Sequence, residues 1–168
     1  MSAIPLPRRA SLSGYVQPGK LLPWQWVSER MRTATNYWVT THSRRYPSSR
    51  PVWGIWFDPE LVFSTGSTIA RNLHRDRRVQ VNLEPGDEVV IVEGTVAALE
   101  DPTVGAAWRE RHLEKYRWEV PASLAGVYRV VPHRVLAWMS DGSGLDGGVV
   151  FFSTPTEWRF ERDDDAVG

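Results

Sequence analysis

From Asn36 to Phe160 the chain consists largely of short runs of β-branched and aromatic residues joined by polar segments of turn length. Most of these joints are too short for the crossovers that parallel strands need, so the expected sheet is mainly antiparallel. Arg78–Glu84 shows the pattern most cleanly, with Val79, Val81 and Leu83 on one face and Gln80, Asn82 and Glu84 on the other. Tyr37–Thr41 reads as a strand by propensity, and His42–Ser49, which contains Pro47, reads as a hairpin loop. Val52–Phe57 is apolar on both faces, which predicts a strand covered on both sides. Asp58-Pro59-Glu60 is a turn, and Leu61–Thr65 is the returning strand. Val89–Leu99 is a long strand interrupted at Glu93-Gly94, where the glycine marks a bulge. Val127–Met139 contains Pro132, so that strand is bent or at an edge. Val149–Phe152 also looks strand-like, and Trp158–Phe160 is a last short strand.

Helical spacing appears in three places. Trp24, Val27, Met31 and Ala34 recur at intervals of three and four, predicting a helix over Trp24–Ala34. Gly66-Ser67-Thr68 supplies a turn and an N-cap for a short helix, Ile69–Arg75. Asp101-Pro102 opens a helix to about Trp118, with proline at its first position and Val104, Trp108, Leu113 and Tyr116 as its apolar stripe. The expected fold is therefore mainly β, an antiparallel β-barrel with peripheral helices. It forms one domain over residues 24–162, after an extended or flexible arm at 1–23 and before an acidic tail at 163–168.

Composition narrows the function. Basic and acidic residues number 20 each, so the formal net charge is zero, unlike the basic excess of general nucleic-acid binders. No cysteine is present, which removes thiolate metal sites and cysteine nucleophiles. No apolar run approaches the ~20 residues that span a bilayer. Arg8-Arg9 is not followed by the apolar stretch of an export signal, so the expected location is cytoplasmic. The basic residues are 18 Arg against 2 Lys. That bias fits either a GC-rich genome or bidentate anion binding, and composition does not choose between them.

His42, His74, His112 and His133 form no metal-binding spacing and read as loop or surface residues, so no metal is expected. Gly142, Gly144, Gly147 and Gly148 lack the GK[ST] ending of a phosphate loop and read as a plain loop. The segment Phe63–Leu73 is more informative. It ends a strand in hydroxyls, opens a helix and carries Arg71 about one turn later, a credible anion site. The competing reading is that Thr68 caps the helix while Arg71, Arg75, Arg77 and Arg78 form a solvated face. Trp53, Trp56 and Trp138 fit core or interface positions, with Trp53 or Trp138 as alternatives for lining a ligand pocket. No acid or base stands out as a proton donor, and Tyr37 and Tyr46 are the candidate hydroxyls.

Taken in order, Trp38-Val39-Thr40-Thr41, Arg50-Pro51-Val52-Trp53-Gly54-Ile55-Trp56, Phe63-Ser64-Thr65-Gly66-Ser67, Ala70-Arg71-Asn72-Leu73 and Val92-Glu93-Gly94-Thr95 resemble the pyridoxamine 5′-phosphate oxidase-like split barrels. Their flavin/deazaflavin oxidoreductase branch is the most similar. Lys115–Trp118, Val127–Pro132 with Ala137-Trp138, and Thr156–Phe160 extend the likeness over roughly residues 24 to 160. The resemblance implies a six-stranded antiparallel split β-barrel and a homodimer with a cofactor groove at its interface. It also implies coenzyme F420 as the first-choice cofactor, or FMN. The cofactor's phosphate end would meet Ser64, Thr65, Ser67 and Arg71, and its ring would lie against Arg50, Pro51, Val52 and Trp53. The implied activity is hydride transfer between the cofactor and a small unsaturated organic substrate. The alternative is a non-catalytic protein of the same fold that binds a flavin, a deazaflavin or haem. Two positions depart from the family pattern: Ile69 replaces a lysine before Ala-Arg-Asn-Leu, and the hairpin Arg44–Ser49 lacks the usual turn glycine.

Overall fold

The computed structural model describes residues 3–12, 18–121, 126–140 and 149–160. The glycine-rich segment 141–148 and the acidic tail lie outside them.

The long antiparallel hairpin of β7 (Glu88–Ala98) and β8 (Val127–Met139) is the spine of the sheet. β6 (Arg78–Asn82) pairs with β7, β2 (Tyr37–His42) pairs with β6, and β3 (Pro47–Val52) pairs with β2. The chain then breaks at Trp53 and continues as β4 (Gly54–Phe57), which pairs with β5 (Glu60–Ser64). β5 pairs back onto the first half of β8, Leu61 opposite Val130 through Ser64 opposite Val127. With β3 and β4 counted as one bent strand, the circuit β2, β3–β4, β5, β8, β7, β6 closes with six members, the expected barrel.

The sheet has nine strands in all. The expected single strand Val52–Phe57 is divided because the chain leaves β2 at Val52 and joins β5 at Gly54. The supposed loop residues Pro47–Ser49 instead belong to β3, whose outer edge is unpaired among the described residues, where Pro47 and Pro51 remove donors without breaking a ladder. Two further strands lie outside the circuit. β9 (Thr156–Arg159) pairs with the second half of β8, and β1 (Arg8–Arg9), within the N-terminal arm, pairs with β9.

Two expected irregularities appear in the spine. The ladder shifts register between Glu93 and Gly94, and a Cβ on Gly94 would run into the Val131 carbonyl oxygen. Pro132 sits where β8 passes from its β5 partner to its β9 partner, so its missing N–H interrupts neither ladder on that side.

Helix α1 (Trp24–Thr33) turns Val27 and Met31 into the barrel core. Helix α2 (Thr68–Leu73) buries Ile69, Asn72 and Leu73. Helix α3 (Pro102–Tyr116) is capped by Asp101, whose carboxylate accepts from Thr103 N at 2.8 Å and Val104 N at 3.2 Å. Helix α4 (Val149–Ser153) replaces the expected strand-like run, since none of its residues is buried in a sheet and Thr154 N bonds back to Val150 O. The main core runs through the barrel, and a second cluster of Ile55, Val62, Trp108 and Val120 lies beneath α3. β4 thus faces both, Trp56 inward and Ile55 toward Trp108, as its two-sided apolarity predicts. Among the described residues, no helix is long and apolar enough to cross a membrane.

Candidate functional site

The end of β5 delivers its hydroxyls into a tight local network. Ser64 Oγ donates to Gly126 O at 3.2 Å, and Thr65 Oγ1 lies 2.8 Å from Ser67 Oγ. Ser67, not Thr68, caps α2: its hydroxyl accepts from Ile69 N at 3.2 Å. Ser is as good a cap as Thr, and Ser67 has the extended backbone that the position requires. Thr68 instead accepts from Arg71 Nη2 at 3.1 Å. Arg71 is exposed and has no carboxylate partner among the described residues, whereas Arg78 is paired with Asp76 at 2.7 Å. One free guanidinium, the first-turn amides of α2 and the rim hydroxyls therefore share one corner of the barrel.

The β3–β4 bend approaches the same corner. The β4–β5 ladder ends at Gly54 opposite Phe63, so Trp53 and Ser64 are the next residues along its two strands. A second link runs through Thr41, which accepts from Asn72 Nδ2 at 2.9 Å and donates to Ser48 O at 3.3 Å, tying α2 to β3. Of the four ring-side residues, Arg50 and Pro51 are exposed on the outer strand. Val52 is buried in the barrel core opposite Tyr37, which leaves only its backbone for a ligand. Trp53 is 44% exposed, its indole stacked on the Tyr116 ring at 4.8 Å and 7°. The backbone register of β4 and β5 relates the two halves of the site, Trp53 and the hydroxyl cluster.

Beneath Trp53 lies a constellation that sequence reasoning missed. His112 is almost fully buried rather than on a surface, packed among Trp53, Trp108, Tyr116 and Trp118. Burial holds its imidazole below the ordinary range. Tyr116 OH donates to Gly54 O and accepts from Gly54 N, at 2.9 and 3.0 Å. Lys115 Nζ donates to Tyr37 OH at 3.2 Å and Gly54 O at 3.4 Å, and burial pushes its pKa down to about 8. The signal was the arc Trp108, His112, Tyr116 at intervals of four. A stripe chosen by apolarity takes Leu113 instead, which is 47% exposed.

Neither candidate proton donor is poised for one. Tyr37 is fully buried, donates to Met31 O, and is driven well above the ordinary tyrosine range by burial and by Tyr116. Tyr46 stands exposed in the β2–β3 loop. Trp56 is core and Trp138 packs edge-on against Phe151. Ile69 lies in the barrel core, so the position that carries lysine in the family is apolar and inward here. Among the described residues, no group of three or more metal-ligating side chains converges.

No family model matches the chain, and no curated protein matches it. Solved structures do. A conserved hypothetical protein from Mycobacterium tuberculosis is 20% identical with a TM-score of 0.63, covering 77% of this chain and 92% of that one. A FAD-binding protein from Mesorhizobium loti is 14% identical with a TM-score of 0.57, covering 82% and 95%. A Clostridium acetobutylicum protein related to general stress protein 26, of the pyridoxinephosphate oxidase family, is 12% identical with a TM-score of 0.54, covering 67% and 85%. At these identities the likeness concerns the fold alone. The chain has the fold of the pyridoxamine 5′-phosphate oxidase-like split barrels.

Proposed function

We propose that this protein binds a flavin-type cofactor, FMN or the deazaflavin F420, and uses it to transfer hydride to or from a small unsaturated organic substrate. The observation that carries the reading is the free Arg71 guanidinium beside the α2 N-terminus, on the same corner of the barrel as the half-exposed Trp53. The donor set suits a phosphate: Arg71 donates, as do the first-turn amides that Ser67 does not cap, and no carboxylate neutralises Arg71 among the described residues. Trp53, held flat by Tyr116, offers an aromatic face for a planar ring. The Mesorhizobium loti neighbour, whose description names FAD, supports the flavin class; the F420 preference rests on the sequence resemblance alone.

The bound cofactor would supply the hydride chemistry, and this chain's residues would supply its position. Arg71 and the α2 amides would hold the anionic end. Ser64, Thr65 and Ser67 would fix the loop through their mutual bonds more than by direct contact, since their hydroxyls are already engaged. Arg50 and the β3 backbone would border the ring. We also read the protein as a homodimer with the groove at its interface, a reading supported by the unpaired outer edge of β3 and the exposed Trp53, Leu113 and Trp118.

Ile69 favours a second reading, a carrier without turnover, because the grip on the phosphate lacks the family's lysine. Mixing the protein with reduced F420, or with FMN and a chemical reductant, and following cofactor oxidation across a panel of unsaturated acceptors separates the two. Protein-dependent oxidation with an acceptor supports the enzyme. Stoichiometric binding with no acceptor-dependent oxidation supports the carrier.

A further inference from the structure

The cleft where α1 and α3 flank β4 contains a cavity that the cofactor reading does not use. It encloses about 410 Å3 and is lined by Arg32 from α1, Ile55 and Trp56 from β4, and Arg111, Glu114 and Lys115 from α3. Three cations thus face one carboxylate. Arg32, Arg111 and Lys115 form no salt bridge among the described residues, and neither does Glu114. The Arg111 guanidinium lies over the Phe57 ring at 4.6 Å, which orients it without neutralising it. Lys115 Nζ has only neutral oxygens beside it, Tyr37 OH and Gly54 O, and an ammonium carries a third donor. Ile55, 6% exposed and turned toward α3, supplies an apolar floor, whereas the Trp56 side chain turns into the barrel core. Three cations against one carboxylate leave the cleft with an excess of positive charge, and an oxyanion is the group that balances it.

We propose that this cleft binds a small organic oxyanion, a carboxylate or phosphate on a flat apolar body, gripped by Arg32, Arg111 and Lys115 against Ile55. It shares no residue with the β5–α2 corner, so it stands or falls independently of the cofactor reading. A bound anion keeps the Lys115 ammonium protonated, so binding takes up protons above about pH 8. Of the other groups facing Lys115, burial holds His112 low and Tyr37 and Tyr116 high, outside that window, while Arg32, Arg111 and Glu114 are the charged groups that line the cleft with it.

Calorimetric titration of the full chain with benzoate, phenyl phosphate and inorganic phosphate tests this, in two buffers of different ionisation enthalpy. The expected result is salt-sensitive binding of benzoate or phenyl phosphate, tighter than that of inorganic phosphate, with the preferred headgroup identifying the ligand's class. Arg111→Gln weakens it about tenfold or more, Lys115→Met abolishes the proton uptake, and Arg71→Gln leaves benzoate binding unchanged. The proposal is overturned if no probe binds the wild type, or if Arg32→Gln and Arg111→Gln both leave the affinity unchanged. Equal affinity for inorganic and phenyl phosphate also overturns it, as does a loss on Arg71→Gln matching that on Arg111→Gln. Arg32 and Arg111 are exposed helix residues, so their variants are expected to fold.

Discussion

Trp53 and Tyr116 lie ring on ring, 4.8 Å between centroids and 7° from parallel, across the gap between the barrel's bend and the last turn of α3. Tyr116 also brackets Gly54 with two hydrogen bonds, so α3 fixes the point at which one strand leaves β2 and joins β5. The aromatic face offered to a ligand is thus set by a helix more than fifty residues away in sequence.

Trp53→Ala removes both the stack and the face. Folding stability is expected to fall by about 0.5–1.5 kcal/mol, the usual contribution of an aromatic pair, and cofactor affinity by about tenfold. Thermal melts beside a titration of the same sample check both. An affinity unchanged in a folded variant removes Trp53 from the site.

Arg71→Ala is expected to leave the melting temperature unchanged, because the side chain is exposed and, among the described residues, bonds only to Thr68. The same change is expected to weaken the anionic cofactor by roughly ten- to a hundredfold, as loss of a charge-assisted bond does. Ile69→Lys is expected not to strengthen binding but to destabilise the fold, because that side chain lies 2% exposed in the core.

The buried bases make stability depend on pH in two windows. The folded chain holds a proton on His112 less readily than the unfolded chain does, so stability is full above about pH 6.5 and declines below it. Lys115 releases its proton near pH 8 when folded and near 10.5 when unfolded, so stability rises between those values. Solvent reaches this half-exposed ammonium and screens it, so Lys115→Met is expected to stabilise the neutral-pH fold by only about 1 kcal/mol. Melting temperatures across pH for wild type, His112→Gln and Lys115→Met test the assignments. The acid decline should shrink in the first variant and the alkaline rise in the second.

Gly94→Ala is expected to destabilise the barrel by about 1–3 kcal/mol, because its Cβ meets the Val131 backbone, which cannot swing aside. Chemical denaturation would show it, and a neutral result would mean that the bulge opens without cost.

Much of this framework was legible because local chemistry and tertiary structure agree. Gly94 signals its bulge, Asp101-Pro102 its helix start, and the alternation of Val79 and Val81 its buried face. The break at Trp53 was not legible, since both flanking runs favour strand and only the change of partner from β2 to β5 divides them. Val149–Phe152 has strand propensity yet forms a helical turn, so context overrides composition there. His112 was lost because a polar residue on a helix reads as outward, while here the rings of Trp53, Trp108, Tyr116 and Trp118 close over it. The corner around Arg71 stands out as a candidate because hydroxyls, a helix start and an arginine fall within one short segment; its cap, Ser67 rather than Thr68, needed backbone geometry.

A tryptophan-fluorescence titration of the wild type, Arg71→Ala and Trp53→Ala with FMN and, separately, F420 tests whether the Arg71–Trp53 corner binds a flavin-type cofactor as proposed. The expected result is saturable quenching of the wild type by one of the two, markedly weakened in both variants. No quenching by either cofactor, or equal affinity in wild type and Arg71→Ala, would contradict it.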